Sequence, residues 1–143
     1  MLTFAHKPFD DLTLRELYAI LHLRDEVFVV GQKITAECEV DGLDPDCTHV
    51  FGRDAEGRLV ATARLFVGQD PVTVGRVAVA NHLQKRGLGT ELMRYVHGVL
   101  GVRPAAMSAQ AHLVPWYGSL GWTPVGDVFI EAEIPHVHMV RGA

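Results

Sequence analysis

The sequence predicts a mixed α/β fold, an α+β mixed sheet in which an antiparallel meander is followed by one β-α-β crossover. Three β-rich segments joined by short turns lie at 49–53, 58–67 and 72–79. Strands that follow one another through short turns pair as an antiparallel meander. The next segment, 87–100, repeats apolar residues at spacings of three and four, the period of a helix, and a β-rich segment follows at 105–111. A helix between two strands forms a crossover, so we expect the strands on either side of it to run parallel.

One strand, one helix and a long loop are predicted before the meander. Residues 2–6 are a candidate first strand. Thr13, with Glu16 three residues later, matches the capping box that opens a helix. We expect the apolar face of that helix to comprise Leu14, Leu17, Leu21 and Phe28. Residues 31–47 then predict a long acidic loop, which is either functional or a solvated surface excursion.

A short helix and two strands are predicted to end the chain. Pro115 suits the first turn of the helix, and Gly121 suits its C-terminal cap. We expect the last strands at 122–125 and 134–140. The predicted order of elements is therefore β-α-β-β-β-α-β-α-β-β.

Length and composition limit the classes of function. Hydrophobic residues make up 48% of the 143 residues and charged residues 21%, as in an ordinary soluble protein, so we expect one domain spanning 1–143. The net charge is −4 and the 13 Lys and Arg residues are scattered, which argues against nucleic acid as the main partner. No apolar run approaches the ~18 residues of a membrane span, and the N-terminus lacks the apolar core of a signal peptide. We therefore expect a cytoplasmic protein without a membrane partner.

The cysteines and histidines do not predict a metal site. Cys38 and Cys47 lie in the predicted acidic loop, where a reducing compartment favours free thiols. Together with His49 they would still lack a fourth zinc ligand at a recognisable spacing. His136 and His138 project from one face of a predicted strand, which is typical of ordinary strand residues. We expect no metal.

The turn between the strand 72–79 and the following helix predicts a phosphate-binding site. Backbone N–H groups at a helix N-terminus have no intrahelical partner and lie at the positive end of the helix dipole, so they bind phosphate. Gly87 and Gly89 allow close approach to the backbone, and Lys85 and Arg86 add positive charge. The spacing of the glycines fits neither a Walker P-loop nor the dinucleotide-binding fingerprint.

A second motif follows one β-α unit later, and with it the sequence resembles the GNAT superfamily of acetyl-CoA-dependent N-acetyltransferases. The pyrophosphate loop of that family, Gln/Arg-x-x-Gly-x-Gly/Ala, is matched by Gln84, Gly87 and Gly89. The later family pattern Tyr-x-x-x-Gly-Phe is matched by Tyr117 and Gly121, with Trp122 in place of the phenylalanine. The resemblance covers nearly the whole chain in the order of the family.

Within the superfamily the sequence is most similar to the ElaA-like branch. The segments that carry this similarity are Leu17-Tyr18, Leu23-Arg24, 27–30 with Gln32, Asp41-Gly42, 75–77, 109–112 and 134–136. Two positions differ from the pattern of relatives. Gly31 stands where that branch usually has glutamate, and Gln110 stands where many superfamily members have asparagine, so an amide side chain is kept there.

The resemblance implies a GNAT fold with helices on both faces of the sheet, and direct transfer of acetyl from acetyl-CoA to a primary amine in a ternary complex. It assigns the cofactor diphosphate to Gln84, Lys85, Arg86, Gly87, Leu88, Gly89 and Thr90. It assigns the pantetheine arm to the main chain of Val77, Ala78 and Val79, with Gln110 beside the cofactor. Tyr117 is the implied donor of a proton to the departing thiolate. Homodimers are frequent in this family, often through the late strands.

The reaction also requires a base, because an amine with a pKa near 10.4 is protonated at pH 7 and costs roughly 4–5 kcal/mol to neutralise. The sequence leaves five candidates open: Glu37, Glu39, Asp41, His112 and His136. The acidic loop suggests a cationic acceptor, such as a polyamine, an amino sugar or a protein amine. Two alternatives remain: an acyl-CoA sensor or interaction module with little turnover, and an enzyme that uses another acyl-CoA, with Arg64 or Arg76 as the additional cation.

Overall fold

The computed structural model describes residues 1–35 and 37–142, and these form one mixed sheet of seven strands. The strands are β1 (Thr3–Pro8), β2 (Thr48–Arg53), β3 (Leu59–Phe66), β4 (Val72–Val79), β5 (Ala105–Gln110), β6 (Thr123–Glu131) and β7 (Ile134–Arg141). Their spatial order is β1-β2-β3-β4-β5-β7-β6. All neighbours are antiparallel except β4 and β5, which confirms the predicted meander and crossover.

Three α-helices accompany the sheet within the described residues: α1 (Leu14–Arg24), α2 (Leu88–Leu100) and α3 (Val114–Ser119). A π-helical segment, Asp25–Gly31, continues α1. None of these helices is long and apolar enough to cross a membrane. Residue 36, inside the predicted acidic loop, and residue 143 lie outside the described residues.

The start of α1 is as predicted, but its predicted apolar face is wrong. The Thr13 side chain accepts the N–H of Glu16, whose carboxylate accepts the N–H of Thr13. Leu14, however, is 86% exposed, and the buried positions of the helix and its continuation are Ile20, Leu23, Arg24 and Val27. The fully buried residues lie in the second half of the helix and in its continuation, where Phe28 packs against the same cluster as Leu23 and Val27. Leu17, Leu21 and Phe28 are only partly buried.

The sheet is covered on both faces, as the resemblance implies. One face packs against α2, in a core that contains Ala63, Leu65, Leu92 and Val96. The opposite face packs against α1 and its continuation through Leu23, Val27, Val60, Ala78 and Ala80. The two cores together fix the orientation of β4, which contributes to both.

The sheet divides between β4 and β5. The two strands pair only at Val72 with Ala105 and at Thr73 with Ala106, although both strands continue beyond these pairs. A bulge follows in β4 around Gly75 and Arg76, and Arg76 has a φ of 49°. An extra residue in a strand reverses the alternation of its side chains and increases its twist. The bulge thus turns the end of β4 away from β5 and opens a gap.

The C-terminal hairpin is longer than predicted. The sequence predicts a strand at 122–125, whereas β6 extends from Thr123 to Glu131 with an irregularity between Val125 and Phe129. Gly126, which has a positive φ, and Asp127 interrupt the β-pattern directly after residue 125, so composition alone underestimates the strand. All nine residues of β6 are exposed, and β6 is the edge of the sheet.

Candidate active site

A cavity of about 270 Å³ occupies the gap between β4 and β5. Its walls come from both strands, from the acidic loop and from the tip of the β6–β7 hairpin, and Tyr117 lines it from α3. Val77 and Gln110, two of the residues assigned to the cofactor from sequence, also line it. The division of the sheet therefore brings together residues that are distant in the chain.

The end of β4 presents to this gap a backbone edge that pairs with no other described strand. The N–H of Ala80 donates to the carbonyl of Val60 in β3, and Val79 lies opposite Ala61. Because backbone groups alternate in direction along an antiparallel strand, the N–H and C=O of Val79 point away from β3. The Gln84 side chain donates from Nε2 to the Val79 carbonyl at 3.1 Å. The structure thus gives Gln84 a contact with the strand edge that the sequence does not predict.

The glycine turn leads from this edge into α2. Gly87 has a φ of 80° and is the N-cap of the helix, a conformation that favours glycine. Gln84, Lys85, Arg86 and Gly87 are exposed. The N–H of Glu91 donates to the carbonyl of Gly87, so the N–H groups of Leu88, Gly89 and Thr90 belong to the first turn and have no helical acceptor. The turn therefore offers backbone donors and positive side chains at one corner.

Gly89 has a second role, which the sequence motif does not reveal. A Cβ at this position would lie 3.3 Å from the indole ring of Trp116, tighter than an ordinary contact. The Trp116 Nε1–H also donates to Thr90 Oγ1 at 3.3 Å. The glycine thus lets α3 pack closely on the first turn of α2. Trp116, two residues after the start of α3, is a site residue missed from the sequence.

Tyr117 lies inside the protein at the wall of the cavity. It is 5% exposed, and its ring contacts those of Trp116 and Trp122 with centroids 4.7 and 6.5 Å apart. Burial raises the pKa of Tyr117 to about 12, so the phenol keeps its proton at neutral pH. Gly121, with a φ of 102°, follows the end of α3 as predicted, and the Trp122 N–H returns to the Tyr117 carbonyl. The Tyr-x-x-x-Gly-Trp motif therefore fixes the position of Tyr117 through the hydrogen bond that ends α3.

The acidic loop is held against the sheet by arginines. Arg24 Nε donates to Glu39 Oε2 at 2.7 Å, and Arg24 Nη1 donates to Asp44 Oδ1 at 2.7 Å. Arg64 binds both oxygens of Asp41, at 2.7 and 3.0 Å, and also reaches Asp44 at 3.1 Å. We call these five residues, with Arg76, the arginine clamp. Arg76 Nε donates to Glu39 Oε2 at 2.8 Å.

The clamp changes the interpretation of the acidic loop. Hydrogen bonds from Arg64 hold the pKa of Asp41 far below its usual range. Burial alone would raise the pKa of Asp44, but the hydrogen bond and charge of Arg24 lower it overall. A carboxylate with a lowered pKa is a weak proton acceptor, so Asp41 is a poor candidate for the base, and Glu39 Oε2 is already bound by Arg24 and Arg76. The guanidinium groups of Arg64 and Arg76 are likewise already paired with carboxylates.

The other candidate bases differ in their placement. Glu37 is exposed and lines the cavity, whereas His112 is exposed in the turn after β5. His136 is 6% exposed and lines the cavity. Its Nδ1 lies 2.7 Å from the carbonyl of Ile134, and its Nε2 lies 3.7 Å from Glu131 Oε2. Glu131 also lines the cavity and is a residue that sequence reasoning missed, because it falls beyond the predicted end of its strand.

Polar side chains at the far end of β5 complete the described wall. Gln110 Nε2 donates to Gln32 Oε1 at 2.9 Å, and both residues line the cavity. Cys38 is an exposed free thiol on the same wall, and Cys47 is a buried free thiol. Burial raises the pKa of Cys47 to about 11. Among the described residues, no group of three or more His, Cys, Asp or Glu side chains is arranged to hold a metal ion.

Comparisons with known proteins show the family and the fold of this chain. The family model described as an acetyltransferase (GNAT) domain matches residues 26–142. A UPF0039 protein of Schizosaccharomyces pombe is 40% identical over 96% of this chain and 95% of its own. The protein ElaA of Escherichia coli is 37% identical over 99% and 97%, and its crystal structure matches with a TM-score of 0.87. The crystal structure of an acyl-CoA N-acyltransferase from Pseudomonas aeruginosa matches with a TM-score of 0.90 and 40% identity, covering 99% of this chain and all of that one.

Proposed function

Because this chain belongs to the GNAT acetyltransferase family, on its ElaA-like branch, we propose that it transfers the acetyl group of acetyl-CoA directly to a primary amine. The family supports acyl-CoA-dependent acyl transfer. Acetyl as the acyl group, an amine as acceptor and a ternary complex are the finer parts of the proposal. Residues 1–143 would form one acetyltransferase domain. The observation that carries the proposal is the divided sheet, whose free β4 edge connects the glycine turn to the cavity beside Tyr117.

The residues at the gap fit an extended cofactor that carries a diphosphate at one end. The N–H groups at the start of α2, which have no helical acceptor, suit the diphosphate together with the exposed Lys85 and Arg86. The outward N–H of Val79, and the second lone pair of its C=O, which also accepts from Gln84, suit the amide groups of a pantetheine arm lying as an additional strand, with Val77 and Ala78 beside it. In this arrangement Gln84 holds the end of the strand edge and Gln110 borders the opposite wall.

The chemistry follows from these positions. The amine nitrogen attacks the thioester carbonyl, and a backbone N–H of β4 stabilises the negative oxygen that forms. The carbon–sulfur bond then breaks, and Tyr117 donates its proton to the thiolate. The raised pKa of Tyr117 keeps that proton available at neutral pH, although it also makes the phenol a weak acid. Tyr117 regains a proton from the amine, which loses two protons in forming the amide and releases one of them to solvent.

The size of the cavity bears on the acceptor. Pockets that enclose a whole small ligand usually measure about 300–1,000 Å³, so a cavity of about 270 Å³ suits the reactive end of an acceptor. Glu37 and Glu131, which lie outside the arginine clamp, leave negative charge at its wall. We therefore propose an acceptor whose protonated primary amine enters the cavity while the remainder of the molecule stays outside, either a small molecule or a protein.

Two measurements test the proposed function. Calorimetry with coenzyme A tests cofactor binding, and release of free thiol from acetyl-CoA tests turnover with spermidine, glucosamine and a lysine-containing peptide. Binding with turnover supports an acetyltransferase, and binding without turnover on any amine favours the sensor alternative. Faster turnover with succinyl-CoA than with acetyl-CoA would favour another acyl donor. No heat at millimolar coenzyme A would refute the assignment.

The exposed edge strand supports a homodimer as a further part of the proposal. Val125, Val128, Phe129 and Ile130 of β6 are between 36% and 67% exposed. An exposed, apolar edge strand is a template for pairing with another chain. A second copy of this chain would cover it, and the mass measured by light scattering would then be twice that of the 15.7 kDa chain.

A further inference from the structure

The β6–β7 hairpin ends in a strained turn that brings two ionisable side chains to the cavity. Ala132 and Glu133, the two turn residues, have φ values of 50° and 66°. A two-residue turn with positive φ at both positions usually contains glycine or asparagine, so this conformation is costly for Ala-Glu. Strain of this kind is found at functional sites, where the surrounding structure maintains it. Here the turn places Glu131 and His136 side by side at the cavity wall.

The hydrogen bond of His136 determines which ring nitrogen can accept a proton. Its Nδ1 lies 2.7 Å from the carbonyl oxygen of Ile134, which can only accept, so Nδ1 carries the hydrogen. In the neutral ring Nε2 then has the free lone pair. The ring stacks on Phe129, with centroids 6.1 Å apart and planes at 27°, which fixes its orientation. His136 is thus a buried imidazole with one defined basic nitrogen.

Glu131 suits the role of a partner for the protonated ring. Its Oε2 lies 3.7 Å from His136 Nε2, close enough to stabilise an imidazolium but longer than a formed hydrogen bond. The Glu131 side chain is 46% exposed, whereas that of His136 is 8% exposed. The carboxylate therefore lies between the buried ring and water, on the route by which a proton would leave.

We propose that His136 Nε2 is the base that removes the proton from the acceptor amine, and that Glu131 is a positioning residue that stabilises the resulting imidazolium. This inference rests on the proposed function. The bound ammonium gives one proton to Nε2, and its freed lone pair attacks the thioester carbon. As the adduct loses its thiolate, the second amine proton restores Tyr117, which has protonated the sulfur. The proton on His136 passes to water beside Glu131, so the products are the amide, the free thiol of coenzyme A and one proton.

The other charged groups around the cavity agree with this assignment. Glu39 and Asp41 are bound by arginines in the clamp, and His112 lies exposed in the turn beyond β5. Glu37 is exposed to water, whereas His136 is buried at the cavity wall. The ionisable groups that face His136 across the cavity are Glu37, Cys38, Glu39, Arg64, Arg76 and Tyr117, with Glu131 from its own hairpin.

The test is the pH profile of kcat/KM for the amine of the panel that reacts fastest. With a working base, the wild-type profile should rise with pH and then level off while the amine is still protonated, because the neutral base and the ammonium form react together. The His136→Asn variant keeps an N–H for the Ile134 carbonyl but lacks the basic nitrogen. We expect kcat/KM of this variant to be about 100-fold or more below that of the wild type at pH 7. Its kcat/KM should rise about tenfold per pH unit without levelling off, because only amine that is already neutral reacts.

Two comparisons complete the experiment. Glu131→Gln should shift the rising part of the profile to lower pH, since loss of the carboxylate destabilises the imidazolium. His138→Asn and Glu133→Gln are matched controls on the same hairpin and should leave the profile unchanged. Affinity for coenzyme A, measured by calorimetry, should be the same in all variants.

A His136→Asn profile that levels off like the wild type, or that is lowered equally at every pH, overturns the inference and leaves the proposed function intact. Wild-type protein that binds coenzyme A but acetylates no amine overturns both.

Discussion

The hydrogen bond between Trp122 and His97 should make the fold sensitive to mild acid. Trp122 is 2% exposed, and its Nε1–H donates to His97 Nε2 at 3.0 Å. His97 can accept this bond only while Nε2 is unprotonated. Burial, and to a lesser extent the charge of Arg141, lowers the pKa of His97 to about 4. Protonation of His97 would therefore break the bond and leave the indole N–H buried without an acceptor.

The size of the effect follows from the two pKa values. A histidine titrates near 6.5 in the unfolded chain, so between pH 6.5 and about 4 the unfolded state binds a proton that the folded state does not. The free energy of unfolding should then be intact above pH 6.5 and fall by up to about 1.4 kcal/mol per pH unit below it. Allowing for the partial exposure of His97, we expect a loss of about 2 kcal/mol from pH 7 to pH 4.5. That is a large part of the stability of a typical domain.

Urea denaturation at pH 7, 6, 5 and 4.5 measures this loss in the wild type and in His97→Gln. The glutamine offers an oxygen to the Trp122 N–H but does not titrate. The free energy of unfolding of the variant should therefore lack the contribution of His97 to the pH dependence, to within about 0.5 kcal/mol. We expect the variant to be about 1 kcal/mol less stable at pH 7 and at least as stable as the wild type at pH 4.5. His138→Gln, at an exposed histidine, is the control and should follow the wild type. Parallel pH curves for the wild type and His97→Gln would refute the reasoning.

Three further predictions concern the site and the clamp. Tyr117→Phe should lower kcat for acetyl transfer at least about tenfold, with little change in the Kd of coenzyme A by calorimetry, whereas Tyr18→Phe, at an exposed tyrosine, should change neither. Gly89→Ala should raise the Kd of coenzyme A about tenfold, because the added methyl group lies where the diphosphate approaches the backbone. The Tm should stay nearly constant, since the better helix propensity of alanine offsets the crowding of Trp116. An unchanged Kd would exclude the start of α2 as the diphosphate site. Arg24→Met should lower the free energy of unfolding in urea by about 3 kcal/mol, because Glu39 and Asp44 keep only their other arginine partners, and a loss below about 1 kcal/mol would contradict a structural role for the clamp.

The elements that follow from local patterns are predictable from the sequence. The turns around the meander, the capping box at Thr13 and the helix-capping glycine at 121 each depend on neighbouring residues, and each is present. The parallel contact of β4 with β5 also agrees with the prediction, because parallel neighbours need a long crossover connection and α2 supplies one here. The position of the cavity is a consequence of the same topology.

What the sequence does not reveal depends on partners far apart in the chain. Arg24 is buried at a helix position where the periodicity predicts an apolar residue. Its charge is tolerated there because Glu39 and Asp44 of the acidic loop pair with it. An acidic loop read alone suggests a cationic ligand, yet three arginines from α1, β3 and β4 bind its carboxylates. Such ion pairs have no local signature. For the same reason the Glu131–His136 pair could not be predicted without the register of the β6–β7 hairpin, which brings the two side chains together.

The two tryptophans explain how the motifs act together. Trp116 donates its indole hydrogen to Thr90 in the first turn of α2, and Trp122 donates its own to His97 in the last turn. Tyr117 lies between them in contact with both rings. Since α2 begins at the glycine turn, these two bonds join the proposed diphosphate site and the proposed proton donor to one rigid helix. Unlike the phenylalanine of the family pattern, Trp122 has an indole N–H that needs a hydrogen-bond acceptor when it is buried. In this chain His97 on α2 is that acceptor.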